Sequence, residues 1–348
     1  MSSNRYVMLR KEDFNDFISR LAKLRKLVAP IARGYNNFAF AEVTAGYEVA
    51  VNYIPTILPP KKYLLPQRET LLKFKIGEGL ESTPVVEHEI TTIFGVHTCD
   101  IAGIQCLNMV FSTRPRDFNY LTRKRETTII GLECNDYCDA SASCTLVNAN
   151  LPHGGYDLLF TDMGEYFMVH VSTQAGEEII EAAKLFATAT AEQLQALESL
   201  RARKRKIFKN EVPIDPGTIP ALFDKSFASQ VWEELGERCL ACGNCTNVCP
   251  TCYCFDVKDE MNLNLKSGKR YRVWDSCQGE PFASVVGNHN FRKERADRQK
   301  HRYYRKFRYP VDKYHRFFCT GCGRCSRTCM AGIRLKETLN ALTKEQAK

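Results

Sequence analysis

The 348-residue sequence contains no apolar run of about 18 residues, the length that a helix needs to cross a bilayer. Its first residues, MSSNRYVMLRKEDF, are charged and lack the apolar core of a secretory signal peptide. We therefore expect no membrane span, and we expect the protein to be cytoplasmic.

Signatures of nucleotide binding and of hydrolysis are also missing. No Gly-x-Gly-x-x-Gly follows a predicted strand, since Gly77-Glu78-Gly79 is too short, and there is no Walker A motif. No Ser, His and Asp residues form a recognisable triad, and His88, His97 and His170 are scattered along the chain. These absences indicate no substrate-converting site, so no catalytic residue is predicted.

Cysteine, by contrast, is abundant, with sixteen residues in the chain. Disulfides are typical of exported proteins, and this sequence shows no export signal. So many thiols in such a chain indicate metal ligation rather than a disulfide scaffold.

Eight of the cysteines form two runs with the spacing Cys-x2-Cys-x2-Cys-x3-Cys. This spacing is typical of proteins with two 4Fe-4S clusters, in which the fourth cysteine of each run ligates the other cluster. The sequence predicts one cluster at Cys239, Cys242, Cys245 and Cys329, and a second at Cys319, Cys322, Cys325 and Cys249. Two adjacent clusters indicate a protein that transfers single electrons.

Structural zinc is the main alternative for these two runs. Zinc sites use pairs of Cys-x2-Cys and have little use for a third cysteine three residues later. Two complete quartets therefore favour iron–sulfur clusters. Met330 stands where the second run would usually carry a proline, which leaves the turn after Cys329 less rigid.

Three further cysteines, Cys252, Cys254 and Cys277, lie in the long segment between the two runs. They are either ligands of an additional cluster, with a fourth ligand from elsewhere, or buried redox-inert thiols. The spacing leaves both interpretations open.

The N-terminal half carries Cys99, Cys134, Cys138 and Cys144, the last three in a segment that follows a predicted strand. Because loops after strands often carry function, these residues are candidate ligands of another cluster or metal. Cys106 lies in the apolar segment IAGIQCLNMVF and is expected in the core. The cofactor prediction is thus two 4Fe-4S clusters, with the further cysteines as candidates for a third or fourth.

Hydrophobic patterns predict an α+β fold. We predict an N-terminal mixed α/β domain, residues 1–210, and a mostly α-helical ferredoxin-like domain, residues 218–348, with a basic, proline-bearing linker at 204–218. Apolar residues recur at helical spacing at 11–25 and 177–203, and short β-like runs are predicted at 48–54, 91–96, 128–132, 157–160 and 166–171.

Much of the net charge of +9 lies in FRKERADRQKHRYYRKFR, residues 291–308. A basic run with interleaved aromatics is compatible with nucleic-acid binding or with a solvated helix face. The neighbouring cysteines favour a third interpretation, in which these cations lie near anionic iron–thiolate clusters or form a docking surface for an acidic partner.

The motifs as an ordered set resemble those of the iron–sulfur beta subunit of cytoplasmic sulfhydrogenases, the NAD(P)-linked NiFe hydrogenases. The resemblance covers nearly the whole chain and lies in CLACGNCTNVCPTCYCFDV, YRVWDSC, GNHNFR and CTGCGRCSRTC, and in RYVMLRKEDF, PTILPPKKYLLP, FGVHTCDIAGI and GYDLLF of the N-terminal half. The electron-transfer subunit of anaerobic sulfite reductase is similar and belongs to the same wider family.

The resemblance implies a relay subunit of a multisubunit oxidoreductase. A partner subunit would bind flavin and NAD(P)H, and others would hold the catalytic metal. The eight cysteines of the two runs carry over, and the cysteines at 99, 134, 138, 254 and 277 stand at family positions. This chain departs from the family at Cys138, where Asp139 begins a longer spacing to Cys144 in place of Cys-Phe-Cys.

Three hypotheses follow. The first is an electron-transfer subunit that connects a NiFe hydrogenase module with a flavin/NAD(P)-binding subunit. The second is the corresponding electron-transfer subunit of an anaerobic sulfite reductase. The third, from another class, is a nucleic-acid-binding protein with structural zinc, which metal analysis would distinguish from the first two.

Overall fold

The computed structural model describes residues 5–44, 48–77, 79–208, 212–287 and 289–347. The predicted linker at 204–218 lies partly outside the described residues, as do the first four residues and Asn288 of the segment GNHNFR. Among the described residues, every helix is too short or too polar to cross a bilayer.

The described residues form fourteen strands, most of them in the N-terminal half of the chain. They are β1 Arg5–Arg10, β2 Lys26–Ala32, β3 Phe38–Glu42, β4 Arg68–Ile76, β5 Leu80–Pro84, β6 Thr91–His97, β7 Thr127–Leu132, β8 Leu158–Asp162, β9 Tyr166–Val171, β10 Ala187–Thr188, β11 Phe255–Met261, β12 Ser267–Trp274, β13 Ser284–Val285 and β14 His289–Asn290.

Twelve α-helices are described. They are α1 Phe14–Leu24, α2 Thr98–Ser112, α3 Phe118–Arg125, α4 Gln174–Ala183, α5 Ala191–Ile207, α6 Ile219–Lys225, α7 Val231–Arg238, α8 Asn244–Asn247, α9 Arg295–Phe307, α10 Tyr309–Tyr314, α11 Arg324–Arg327 and α12 Leu335–Gln346. The predicted α+β class is therefore confirmed.

An eight-stranded sheet in the order β10-β1-β9-β8-β7-β6-β2-β3 forms the centre of the N-terminal half. Its middle strands β2, β6, β7 and β8 are parallel, and the outer pairs are antiparallel. Every residue of β6 and β7 is buried, as expected for parallel strands covered on both faces. The carboxyl ends of these strands meet at one edge of the sheet, where α/β proteins commonly carry their sites.

Four of the predicted strands and the first predicted helix are confirmed, because β6 to β9 and α1 lie where their patterns placed them. The strand predicted at 48–54 is wrong. Only Val49 forms an isolated bridge, and the segment is instead held by the Tyr53 hydroxyl, which donates to the Gly95 carbonyl. The helical pattern predicted at 177–203 is confirmed as two helices, α4 and α5, and α4 ends just before Lys184, which has left-handed backbone.

A second, four-stranded antiparallel sheet, in the order β11-β12-β4-β5, joins the two halves of the chain. Strand β12, from the segment between the cysteine runs, pairs with β4 of the N-terminal half. Strands β11 and β12 are not among the strands predicted from the sequence. The division near 204–218 stays a prediction, and this sheet shows that strands on either side of it are hydrogen-bonded.

The C-terminal part has its own hydrophobic core, built by α6, α7, α9 and α12 around a group of aromatic side chains. Phe223 and Phe307 stack with ring centroids 5.5 Å apart, and the Trp232 indole donates to the Ser226 carbonyl. This helical core packs against cysteines of both runs, and α2 of the N-terminal half approaches the first run where Gly103 meets Pro250.

Candidate metal centre

The two cysteine runs have the same local conformation, although their intervening residues differ. The residue before the second cysteine, Ala241 or Gly321, and the glycine after it, Gly243 or Gly323, all have positive φ, between 52° and 75°. The third cysteine then lies in a short helix, α8 or α11. In each run, this backbone conformation places the first three cysteines around one cavity.

Backbone amides point at the sulfur atoms. The Ala241 amide donates to Cys239 Sγ at 3.3 Å, the Gly321 amide donates to Cys319 Sγ at 3.4 Å, and the Ile333 amide donates to Cys329 Sγ at 3.3 Å. Amide donors stabilise thiolate sulfur and tune the potential of iron–sulfur clusters. The donor set therefore fits such a cluster.

Each predicted ligand quartet lines one cavity. The first cavity is bordered by Cys239, Cys242, Cys245 and Cys329, and the second by Cys249, Cys319, Cys322 and Cys325. The fourth cysteine of each run thus lies with the first three of the other, as the spacing predicts. Cys245 borders both cavities, which places the two quartets back to back.

Among the described residues, no three His, Cys, Asp or Glu side chains converge closely enough to hold a single metal ion. All sixteen cysteines are free thiols. A four-iron cube separates its thiolate ligands more widely than one tetrahedral zinc ion does, so quartets that line a cavity fit a cluster better than zinc.

Burial sets the protonation of these thiols. Desolvation raises the pKa of Cys245 to about 12 and that of Cys322 to about 11. A hydrogen bond from Cys252 lowers the pKa of Cys249, and the ammonium groups of Lys306 and Lys61 act in the same direction. Because metal ligation needs thiolates, binding of iron at these cavities should release protons.

Two cations of α9 face the cysteines rather than solvent. Arg302 is buried and borders both quartet cavities, and the Lys306 ammonium donates to Cys252 Sγ at 3.3 Å and Thr251 Oγ1 at 2.7 Å. In the part of the chain that the structure describes, neither forms an ion pair with a carboxylate. A buried charge without a counterion is costly, so these cations fit anionic clusters bound beside them.

The basic run is therefore not a solvated helix face. Its interpretation as a source of cations beside the cysteines agrees with the structure, because Arg298 and Arg302 are buried and the run forms α9 of the C-terminal core.

A third group of cysteines lies at the carboxyl edge of the eight-stranded sheet. Cys99 lies in the first turn of α2, which follows β6, and Cys134 follows β7, so the two adjacent strands place them near each other. Cys138 and Cys144 belong to the loop after β7, and desolvation followed by the charge of Cys134 raises the pKa of both. Cys106 is buried within α2, as predicted.

The loop that carries Cys138 and Cys144 packs directly on the second cysteine run. The Ser143 amide donates to the Gly321 carbonyl at 2.7 Å, and a Cβ on Gly321 would collide with the Ser143 backbone. The third group is therefore adjacent to the quartet that contains Cys322, whose charge acts on both Cys99 and Cys144.

The remaining predicted cysteines, Cys252, Cys254 and Cys277, line a cavity of about 360 Å³. The thiols of Cys254 and Cys277 share a hydrogen bond. The wall of this cavity is cationic, because it contains four basic side chains: Arg292, Arg302, Arg305 and Lys306. His301 also lines it. Burial and the nearby Arg292 and Arg305 lower the pKa of His301 to about 4, so it is neutral at pH 7.

The most deeply buried ion pair of the site joins Arg324 to Asp100. Arg324, in the second run, is fully buried and donates from both terminal nitrogens to Asp100, at 2.6 and 2.7 Å, and from Nε to the Thr56 carbonyl at 2.5 Å. The pair joins α11 to α2, next to Cys99. Nothing in the sequence signals it, because 224 positions separate its members.

Of the two other arginines that flank the runs, Arg327 pairs with Asp139 at 2.5 Å and is partly buried. Arg238 is exposed and donates to the carbonyls of Ala331 and Gly332.

Comparison with known proteins agrees with this geometry. Residues 238–333 match the family described as a 4Fe-4S dicluster domain. The chain is 34% identical over 339 residues to sulfhydrogenase 2 subunit beta of Pyrococcus furiosus, an alignment that covers 97% of this chain and 98% of the relative. The domain identifies an iron–sulfur electron-transfer subunit. An identity of this level over nearly the whole of both chains shows that the chain belongs to the family of sulfhydrogenase beta subunits.

Proposed function

We propose that the chain is the electron relay of a multisubunit hydrogenase, between a catalytic nickel–iron module and a flavin-bearing, NAD(P)-binding subunit. The observation that carries the proposal is the pair of back-to-back cysteine quartets, with the buried cation Arg302 bordering both cavities. The whole-length relative, named as a subunit of a sulfhydrogenase, supports hydrogen rather than sulfite as the substrate of the complex.

The eight cysteines of the two runs would hold two clusters, each of which accepts and passes on one electron at a time when bound. The amides of Ala241, Gly321 and Ile333 stabilise thiolate charge, and Arg302 and Lys306 offset the charge added on reduction. The helical core excludes water from one side of both quartets, which strengthens each of these electrostatic contacts.

We further propose that the two other cysteine groups hold clusters. Cys99, Cys134, Cys138 and Cys144 supply four thiols around one sheet edge. Cys252, Cys254 and Cys277 supply three thiols in a cationic cavity, where the fourth ligand would not be a cysteine, because no other cysteine lines its described wall.

The relay itself is tested with Cys245→Ala in the purified complex. We expect the loss of about four irons per chain, since one cluster loses a ligand, and a block in electron passage while the flavin subunit still reacts with NAD(P)H. Cys106→Ala is the matched control, because Cys106 is a buried thiol outside all four groups. Wild-type turnover in Cys245→Ala would show that this quartet is not on the electron path.

The further clusters are tested separately with Cys138→Ala and Cys277→Ala. Each variant should lower the iron content by about four atoms per chain. Each should also remove the signal of one cluster from the spectrum of the reduced protein. An unchanged iron content in either variant would show that its group consists of structural thiols.

A further inference from the structure

Exposed apolar side chains lie above the first quartet, the one that contains Cys242. Cys242 is itself exposed, Leu240 is 61% exposed and Met330 is 82% exposed. Leu240 and Cys242 border the same cavity as Cys329 and Ala331, the two neighbours of Met330 in the chain. Large apolar side chains grouped on a surface are typical of protein–protein contacts.

In the second quartet, by contrast, every cysteine is buried or only partly exposed. Cys322 is buried, and the loop that contains Ser143 covers the second run at Gly321 and Gly323. Electron transfer between proteins requires a short distance between redox groups. The first quartet is therefore the better placed of the two to exchange electrons with another subunit.

Two exposed arginines flank this apolar surface. Arg238 donates from Nη2 to the carbonyls of Ala331 and Gly332, at 3.2 and 3.0 Å, and Arg295 donates from Nη1 to the Cys239 carbonyl at 2.8 Å. Neither arginine forms an ion pair with a carboxylate within the ranges that the structure describes. Their charges are thus available to a partner.

We propose that Leu240, Cys242 and Met330 form the docking surface for a redox subunit that presents an apolar surface ringed by carboxylates. Unpaired positive charge around an apolar centre selects such a partner and disfavours a second copy of this chain, whose arginines would repel these. The inference rests on the proposed relay function and adds the place at which electrons enter or leave.

The test uses Met330→Glu and Leu240→Glu in the purified complex. Stopped-flow absorbance follows cluster reduction by NAD(P)H, by hydrogen, and by dithionite, a small reductant that needs no docking surface. We expect one of the two subunit-dependent reactions to slow by about tenfold or more in both variants, because a carboxylate would face the partner's carboxylates. Dithionite reduction and iron content should stay at wild-type values.

Leu263→Glu is the matched control, since Leu263 is fully exposed on the turn between β11 and β12, and it should leave all three rates unchanged. Wild-type rates in Met330→Glu and Leu240→Glu with both NAD(P)H and hydrogen would overturn the docking surface. An equal loss with dithionite would also overturn it, by showing damage to the quartet. Failure of NAD(P)H and of hydrogen to reduce even the wild-type chain would instead contradict the proposed relay.

Discussion

At the scale of single residues, Arg324 of the second cysteine run is fully buried. Its guanidinium forms an ion pair with Asp100, and both side chains are buried. Removing one member of a buried pair leaves the other charge without a counterion, which is more costly than losing the attraction itself.

We therefore expect Arg324→Gln to destabilise the protein by roughly 3–5 kcal/mol, since Asp100 would remain buried without its counterion. Anaerobic chemical denaturation of the loaded protein measures the loss. Arg334→Gln is the control, because Arg334 pairs with Glu337 at 3.8 Å with both side chains 62% exposed, and it should leave the midpoint unchanged. Equal midpoints for the two variants would contradict the structural importance of the buried pair.

A second set of ion pairs, around a buried carboxylate, joins α5 to the residue that follows β7. Glu133 accepts from Lys204 at 2.5 Å and from Arg201 at 3.1 Å, and its side chain is completely buried. Desolvation alone would raise the pKa of Glu133, but Lys204 and Arg201 outweigh it and lower the pKa.

Glu133→Gln should cost roughly 3–5 kcal/mol of stability, because it leaves Lys204 buried without its counterion. A lowered folded-state pKa means that the stabilisation is fully present above the unfolded value of about 4.3 and is lost only as the pH falls through the folded value. The difference in the free energy of unfolding between wild type and Glu133→Gln should therefore stay constant from pH 8 to about 5.5. A difference that shrinks within this window would contradict the lowered pKa.

At the scale of elements, the contact between the loop at 141–144 and the second cysteine run decides how closely two of the cysteine groups approach. Gly321 has φ of +62° and no room for a Cβ, because the Ser143 backbone lies against it. The glycine thus serves both the left-handed turn and the close approach.

Gly321→Ala should destabilise the protein more than Gly154→Ala does. Gly154 also has positive φ, +86°, but nothing lies within 4 Å of the position that a Cβ would take there. The difference in stability between the two variants isolates the steric contact, and we expect this difference to be about 1–3 kcal/mol. We also expect reduced iron content in Gly321→Ala. Thermal unfolding of the loaded proteins measures it, and identical transitions would show that the loop moves aside freely.

Local and non-local features were predictable to different degrees. The cysteine quartets are predictable from spacing, because the i, i+3, i+6 pattern is local in the sequence. Strands β6 to β9 are predictable from their short apolar runs. The pairing of β4 with β12 and that of Asp100 with Arg324 depend on contacts between distant segments, which one sequence does not encode in any local pattern. The predicted strand at 48–54 failed for a related reason, since the tertiary contact of Tyr53 replaces strand pairing.

At the scale of the whole molecule, the four cysteine groups are contiguous. Arg302 borders the two quartet cavities and the cavity of Cys252, and the loop with Ser143 joins the second quartet to the group at the sheet edge. A relay needs this continuity, because single electrons pass only between neighbouring sites. In the proposed relay, the buried Arg302 beside three of these groups would lower the cost of the added negative charge.

The most direct test of the account is the content of iron, acid-labile sulfide and zinc in the anaerobically purified protein. We predict iron and sulfide in equal amounts, at least about eight of each per chain from the two cysteine quartets, with no stoichiometric zinc. Zinc without acid-labile sulfide would contradict an electron relay and leave the cysteines with a structural role.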